Sequence, residues 1–244
     1  MTATRSRPAF YALRPGGWRD YVTLLHPPYT LWHLSFVAVG AALAPHMDWE
    51  LLGWTTLAFA LAMGVGAHAL DELSGRPLQT RISPRMLTAL AVVSISAAAA
   101  IGITVAVSRT LWLLVFVAVG AFLVVAYNLE LFGGAFHGGL WFPAAWGAFP
   151  ALTAYFASAR TLHAAAFAAA AYAFASSWAQ RRLSTPVRLV RRRVVSIEGE
   201  VRLDDGTTLP VDADALAAAP EAALKMLAAA AVLVAGALLL FRAG

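Results

Sequence analysis

The chain has 244 residues, 60% of them hydrophobic and 13% charged, with a mean hydropathy of +0.70 and a formal net charge of +5. A soluble domain carries about a quarter charged residues, so the composition excludes an ordinary soluble fold and points to an all-α, polytopic transmembrane bundle. Cysteine is absent, which excludes disulfides, thiolate metal sites and a cysteine nucleophile.

Residues 1–24 form a polar, arginine-bearing segment. The apolar stretch that follows runs far beyond a short signal-type core and lacks a clear cleavage site, so no cleavable signal is expected. Residues 18–29, rich in aromatic and basic side chains, suit the headgroup level and lead into the first span. Candidate spans are Tyr29–Leu43, Leu51–Leu70, Met86–Val107, Leu111–Leu129, Leu140–Ala157, His163–Trp178 and Ala218–Phe241, about seven in all. Crossing the hydrocarbon takes about 20 apolar residues, so the shorter ones draw on their flanks. The sixth is alanine-rich, which favours helix and close packing.

The arginines set the orientation. With the N-terminus cytoplasmic, only Arg109, Arg160 and Arg242 of the 18 basic residues fall outside, as the positive-inside rule requires of an integral protein of a bacterial-type plasma membrane. The basic residues are then topology signals and contacts to anionic lipid, and nucleic acid drops out as a partner. The polar loops 71–85, 130–139 and 180–216 gather on the cytoplasmic side, while the outer loops are short and chemically sparse. Residues 25–193 are read as the bundle, 194–216 as a cytoplasmic hairpin signalled by Asp205-Gly206, and 217–244 as a final transmembrane helix. A hairpin of this size is not stable alone, so it is expected to dock on the helix ends.

The richest chemistry lies in residues 64–81. His68, Asp71 and Glu72 come close together at helical spacing, followed by a Gly75-Arg76-Pro77-Leu78 turn and Arg81. Asp71 and Glu72 are hard oxygen ligands suited to Mg²⁺, and Arg76 and Arg81 are phosphate-binding cations. Together they describe a diphosphate pocket, or else an ion-pair set that fixes a loop. Arg181, Arg182 and Arg188 form a second candidate anion clamp, with a stop-transfer cluster as the alternative. Asn128 and Glu130, at the end of the fourth span, are placed to reach the same pocket, or else Glu130 is a solvated loop charge. His26, His33, His46 and His163 show no ligand spacing.

Read together, these motifs resemble the UbiA-type intramembrane prenyltransferase superfamily. Leu25-His26-Pro27-Pro28 with Trp32 and Gly40 resembles the start of that family's first helix. Gly66-Ala-His68-Ala-Leu-Asp71-Glu72 with Arg76-Pro77-Leu78 resembles its first aspartate-rich motif, and Tyr127-Asn128 through Pro150 its next characteristic stretch. The resemblance covers roughly residues 25–193. It implies a helical bundle around a central cavity and Mg²⁺-assisted transfer of a prenyl group from an isoprenoid diphosphate to an acceptor, here unknown. Asp71 and Glu72 would be the catalytic metal ligands, joined by Glu130. His68, Arg76, Arg81, Asn128, Arg181, Arg182 and Arg188 would bind substrate. The chain departs from the pattern at His68, at Gly75, and above all in having a basic segment, 180–193, where the second aspartate-rich motif belongs. Two readings follow: a divergent prenyltransferase at the cytoplasmic face, or a non-catalytic isoprenoid-phosphate-binding or partner protein that keeps the fold. A small transporter is a third, disfavoured because no span carries a charge in its middle third.

Overall fold

The computed structural model describes residues 7–244 of the chain. Eight helices organise it: α1 (Trp18–Leu24), α2 (Pro27–Leu43), α3 (Trp49–Leu73), α4 (Pro84–Arg109), α5 (Leu113–Asn128), α6 (residues 141–159), α7 (Ala164–Arg193) and α8 (Ala213–Ala243). Their starts are written in the sequence. Asp48, Ser83 and Asp212 each sit in extended backbone and accept a hydrogen bond from the amide three residues on, at 2.9, 3.2 and 2.7 Å. Such caps satisfy amides that a helix leaves open. Pro84 adds a first-turn proline to α4, where its missing N–H costs nothing.

Three helices, α3, α4 and α8, are long and apolar enough to cross a membrane, and α5 is a shorter apolar helix. The helices corresponding to the other expected spans are less clear-cut by length and composition. α2 has 17 residues, at the short limit for a crossing, and α7 mixes a long alanine face with six arginines.

α2 is the wedge of the bundle. Its Trp32, Phe36 and Val39 pack against Ala151 of α6, Ala169 and Ala173 of α7 and Leu224 and Ala228 of α8. The Trp32 indole N–H donates to Ser176 Oγ at 2.9 Å. Small residues bring these backbones together: a Cβ on Gly40 would meet the Ala151 carbonyl, and one on Gly147 would collide with the Ala173 carbonyl and lie 2.6 Å from Ser177 Oγ. Polar ties close both ends. Arg191 holds Glu221 through Nε at 2.9 Å and Nη2 at 3.2 Å, joining α7 to α8. Arg242 donates to the carbonyls of Ala42 and Ala44, finishing α2.

Two helices widen into π-turns, Ala60–Ala67 in α3 and Ala144–Ala148 in α6. They face each other in a cluster containing Met63, Ala67, Ala145 and Trp146 together with Leu123, Val124 and Tyr127 of α5. A π-turn inserts a residue and re-aims the side chains beyond it, and it recurs at functional sites.

The hairpin signal at Asp205-Gly206 is realised as two antiparallel strands, β1 (Glu200–Arg202) and β2 (Thr208–Pro210), with Val201 opposite Leu209. Docking on the helix ends is not: every strand residue is exposed. The hairpin is held by its own turn, where Leu203 N–H donates to Thr207 O at 2.8 Å, and by Val211 N–H to Gly199 O at 2.9 Å. The last helix also begins a turn earlier than residue 217, because Asp212 caps it.

Candidate functional site

A cavity of about 520 Å³ opens at one end of the bundle. The strap Pro8–Tyr11, the start of α2, the end of α3, the end of α5 with His137 after it, the start of α6 and the arginine-bearing half of α7 surround it. Asp71 is the one carboxylate among its lining residues. Facing it are Arg181, Arg188, Arg192 and Arg193. The first three are seven and four residues apart, so they share one side of α7. Arg181 donates to the Tyr127 hydroxyl at 2.9 Å and lies 5.5 Å over the Phe142 ring. Arg188 reaches Thr185 Oγ1 only at 3.4 Å, and Arg192 donates through Nε to the Pro8 carbonyl at 3.2 Å. These guanidiniums keep most of their donors for something else.

A histidine group lies beside Asp71. His26 and His68 stack with centroids 4.0 Å apart and planes at 12°. His68 Nδ1 is 3.0 Å from the Gly64 carbonyl, an acceptor, so that nitrogen carries the proton and Nε2 is left for the cavity. His26 has φ of 46°, in the left-handed region that non-glycine residues adopt uncommonly. It is followed by Pro27 and Pro28, which start α2. His33, two turns on, lies deeper. His26 Nε2, His33 Nδ1 and Gln180 Oε1 are buried without a protein partner, and all three residues line the cavity. Buried polar atoms are nearly always paired, so three open ones at a single cavity mark a place for polar groups of a ligand or water. Tyr11, from the strap, stands 5.3 Å from His26, and burial pushes its hydroxyl above the usual phenol range.

The cavity has an apolar neighbour. A groove of about 110 Å³ runs between α3, α4, α5 and α6, lined by residues such as Ile95, Val124 and Phe149. Met63 and Trp146 line both spaces. For scale, a ~150 Å³ apolar cavity holds a benzene, so the groove accommodates a short stretch of hydrocarbon.

Of the residues singled out from sequence, His68, Asp71, Asn128, Arg181 and Arg188 come together here. Asn128 spends its Nδ2 on the Val124 carbonyl at 2.7 Å. The others stand elsewhere. Glu72 is wholly buried, and its carboxylate accepts from Leu78 N at 3.0 Å, Thr80 N at 2.8 Å and Thr80 Oγ1 at 2.9 Å. It holds the turn after α3 and presents nothing to the cavity. Arg76 donates to the carbonyls of Thr80 and Ile82, at 3.3 and 2.6 Å, tying the same turn. Arg81 is exposed, and its backbone N–H goes to Asp20 at 2.9 Å. Arg182 lies against Trp178 at 5.8 Å, a step round the helix from Arg181. Glu130 is an exposed loop carboxylate 3.9 Å from His137 Nε2.

The magnesium set expected from the resemblance is therefore not assembled. Asp71, Glu72 and Glu130 do not converge, and no group of three or more His, Asp or Glu side chains among the described residues is placed to hold a metal. Mg²⁺ needs near-octahedral oxygen donors, and a single carboxylate facing several guanidiniums does not fit it.

Sequence reasoning missed Arg192, although its spacing from Arg181 and Arg188 was there to be used. It also missed His26, His33 and the strap, whose roles depend on contacts between distant segments. Comparison with protein families, curated proteins and solved structures returns no match.

Proposed function

We propose that this chain is an integral membrane protein that binds an isoprenoid phosphate or diphosphate lipid at the cavity. Arg181, Arg188 and Arg192 hold the headgroup, and the tail lies past Met63 and Trp146 toward the apolar groove. One observation carries the reading: three guanidiniums with donors to spare face a cavity that shares a wall with a hydrocarbon-sized groove. Guanidinium–phosphate pairs are strong and geometrically specific. With only Asp71 opposing them, the lining residues leave a net positive charge for an anion. The UbiA-like build, about seven crossings and a cytoplasmic N-terminus belong to the same proposal. They put the strap, the arginine face of α7 and the cavity mouth at the inner surface, where anionic isoprenoid headgroups are met.

Prenyl transfer is the second reading, favoured by Asp71 and the stacked histidines beside the guanidiniums. Fixed cations aimed at a leaving diphosphate stabilise the charge that develops on it. In such a reaction this chain's arginines would offset the leaving group, the cavity walls would exclude water, and Asp71 or a histidine would hold the proton lost by the acceptor.

Purified protein in nanodiscs, titrated with farnesyl diphosphate and with farnesol, tests the binding proposal. Tighter binding of the diphosphate, weakened tenfold or more by Arg188→Ala or Arg192→Ala and unaffected by Arg182→Ala, is expected at about 1.4 kcal/mol per tenfold. Equal binding of farnesol, or indifference to both substitutions, refutes it. Release of pyrophosphate from radiolabelled substrate, lost in Asp71→Ala, separates transfer from binding alone.

A further inference from the structure

The His26–His68 stack has no task in the fold that its chemistry explains. Its rings are 4.0 Å apart and almost parallel, an arrangement that suits two neutral rings or one cation over a neutral ring. Two imidazolium cations at that spacing repel each other. Beyond the one N–H that each neutral ring carries, the stack thus takes at most one added proton. His68 Nδ1 is committed to the Gly64 carbonyl, leaving Nε2 as its titrating nitrogen, and His26 Nε2 is buried with no protein partner.

Burial and the charges around the stack together decide when that proton is present. The titratable and charged groups lining the same cavity are Tyr11 on the strap, Tyr29 and His33 on α2, Asp71 on α3, Tyr127 on α5, His137 after it, and Arg181, Arg188, Arg192 and Arg193 on α7. Guanidiniums outnumber the single carboxylate, so an empty cavity disfavours another positive charge. An anion bound between the guanidiniums reverses the local field and favours one.

We infer that the cavity takes up its anionic ligand together with one proton, held on the His26–His68 stack. The inference rests on the anion-binding reading above and adds a pH linkage to it. Linkage fixes the sign: where binding takes up a proton, affinity falls as pH rises. Near the inner membrane surface such a site favours loading under mildly acidic conditions and release under alkaline ones.

The probe is citronellyl sulfate, whose isoprenoid tail carries a headgroup that keeps one charge from about pH 5.5 to 8.5 and contributes no proton of its own. The full-length protein in neutral-lipid nanodiscs is titrated calorimetrically in buffers of unlike ionisation enthalpy, which counts protons taken up. The expected result is uptake rising toward one proton per probe bound as the pH falls, with Kd weakening about tenfold per pH unit through the range of uptake. Asp71→Asn keeps the uptake but moves it to lower pH, because the one opposing carboxylate is gone, while His26→Gln and His68→Gln lose it and bind with a flat pH profile. Binding by the wild-type protein with no proton uptake overturns the inference and leaves the anion site standing, and this needs no variant to fold. Uptake lost in Asp71→Asn at every pH where the probe binds also overturns it, by assigning the proton to the carboxylate. Absence of binding at every pH removes the anion reading and this inference with it.

Discussion

The turn formed by residues 74–82 and the cavity side of α7 both carry arginines, both sit at the polar end of the bundle, and they use their charges in opposite ways. Around the turn the buried strong groups are consumed locally. Glu72 takes three donors, Arg76 two carbonyls, and Asp20, itself buried, takes the amides of Gly16 and Arg81 at 2.9 Å each. Along α7 the guanidiniums of Arg181, Arg188 and Arg192 make one protein hydrogen bond apiece. The difference teaches how to separate scaffold from site in a charged cluster: a saturated group positions backbone, whereas an under-used one facing a cavity is available to a ligand. Asp71 and Glu72 make the point as neighbours, one lining the cavity and the other buried in its own turn.

Glu72→Ala should be the most damaging change, because it orphans two buried amides and a hydroxyl at about 1–3 kcal/mol each. A loss of roughly 3–5 kcal/mol is expected, with hydrogen exchange at residues 75–82 rising first, and Asp71→Ala should leave that exchange unchanged. If both variants unfold the turn alike, the distinction fails. Next comes Gly147→Ala, whose Cβ has no room against the Ala173 carbonyl. Overpacking of this kind costs about 1–3 kcal/mol, and it should lower the thermal midpoint in detergent by pushing α6 from α7.

The binding prediction is smaller in energy and larger in meaning. Arg188→Ala and Arg192→Ala should keep the thermal midpoint within a degree or two while weakening farnesyl diphosphate about tenfold, or about 1.4 kcal/mol, whereas Arg76→Ala should do the reverse. The smallest effect belongs to Asp205. Its carboxylate is exposed, and hydrogen bonds from the Thr207 hydroxyl and amide hold it below the usual carboxylate range. A lowered value means the hairpin turn is favoured above the unfolded carboxyl's titration range, and that contribution fades as pH falls through the folded one. Chemical shifts of Thr207 across mildly acidic pH should follow that order, and Asp205→Ala should flatten them without touching the bundle.

Some of this was decided by the chain alone. Apolar length marks three helices as able to cross a membrane, because hydrocarbon tolerates neither unpaired backbone nor stray charge. Asp48, Ser83 and Asp212 mark their helix starts, and Asp205-Gly206 marks its hairpin, since each acts through neighbours a few residues away. The arginine face of α7 was open to anyone counting the spacing. Tertiary structure alone decided which of two adjacent carboxylates faces the cavity, since the π-turns in α3 and α6 shift the helical register that spacing arguments assume. It alone folded residues 8–11 over the mouth and set His26 on His68, 42 positions away in sequence. Side-chain chemistry is local and can be read from residue types; what a side chain meets depends on packing between distant segments, and that is where this site was made.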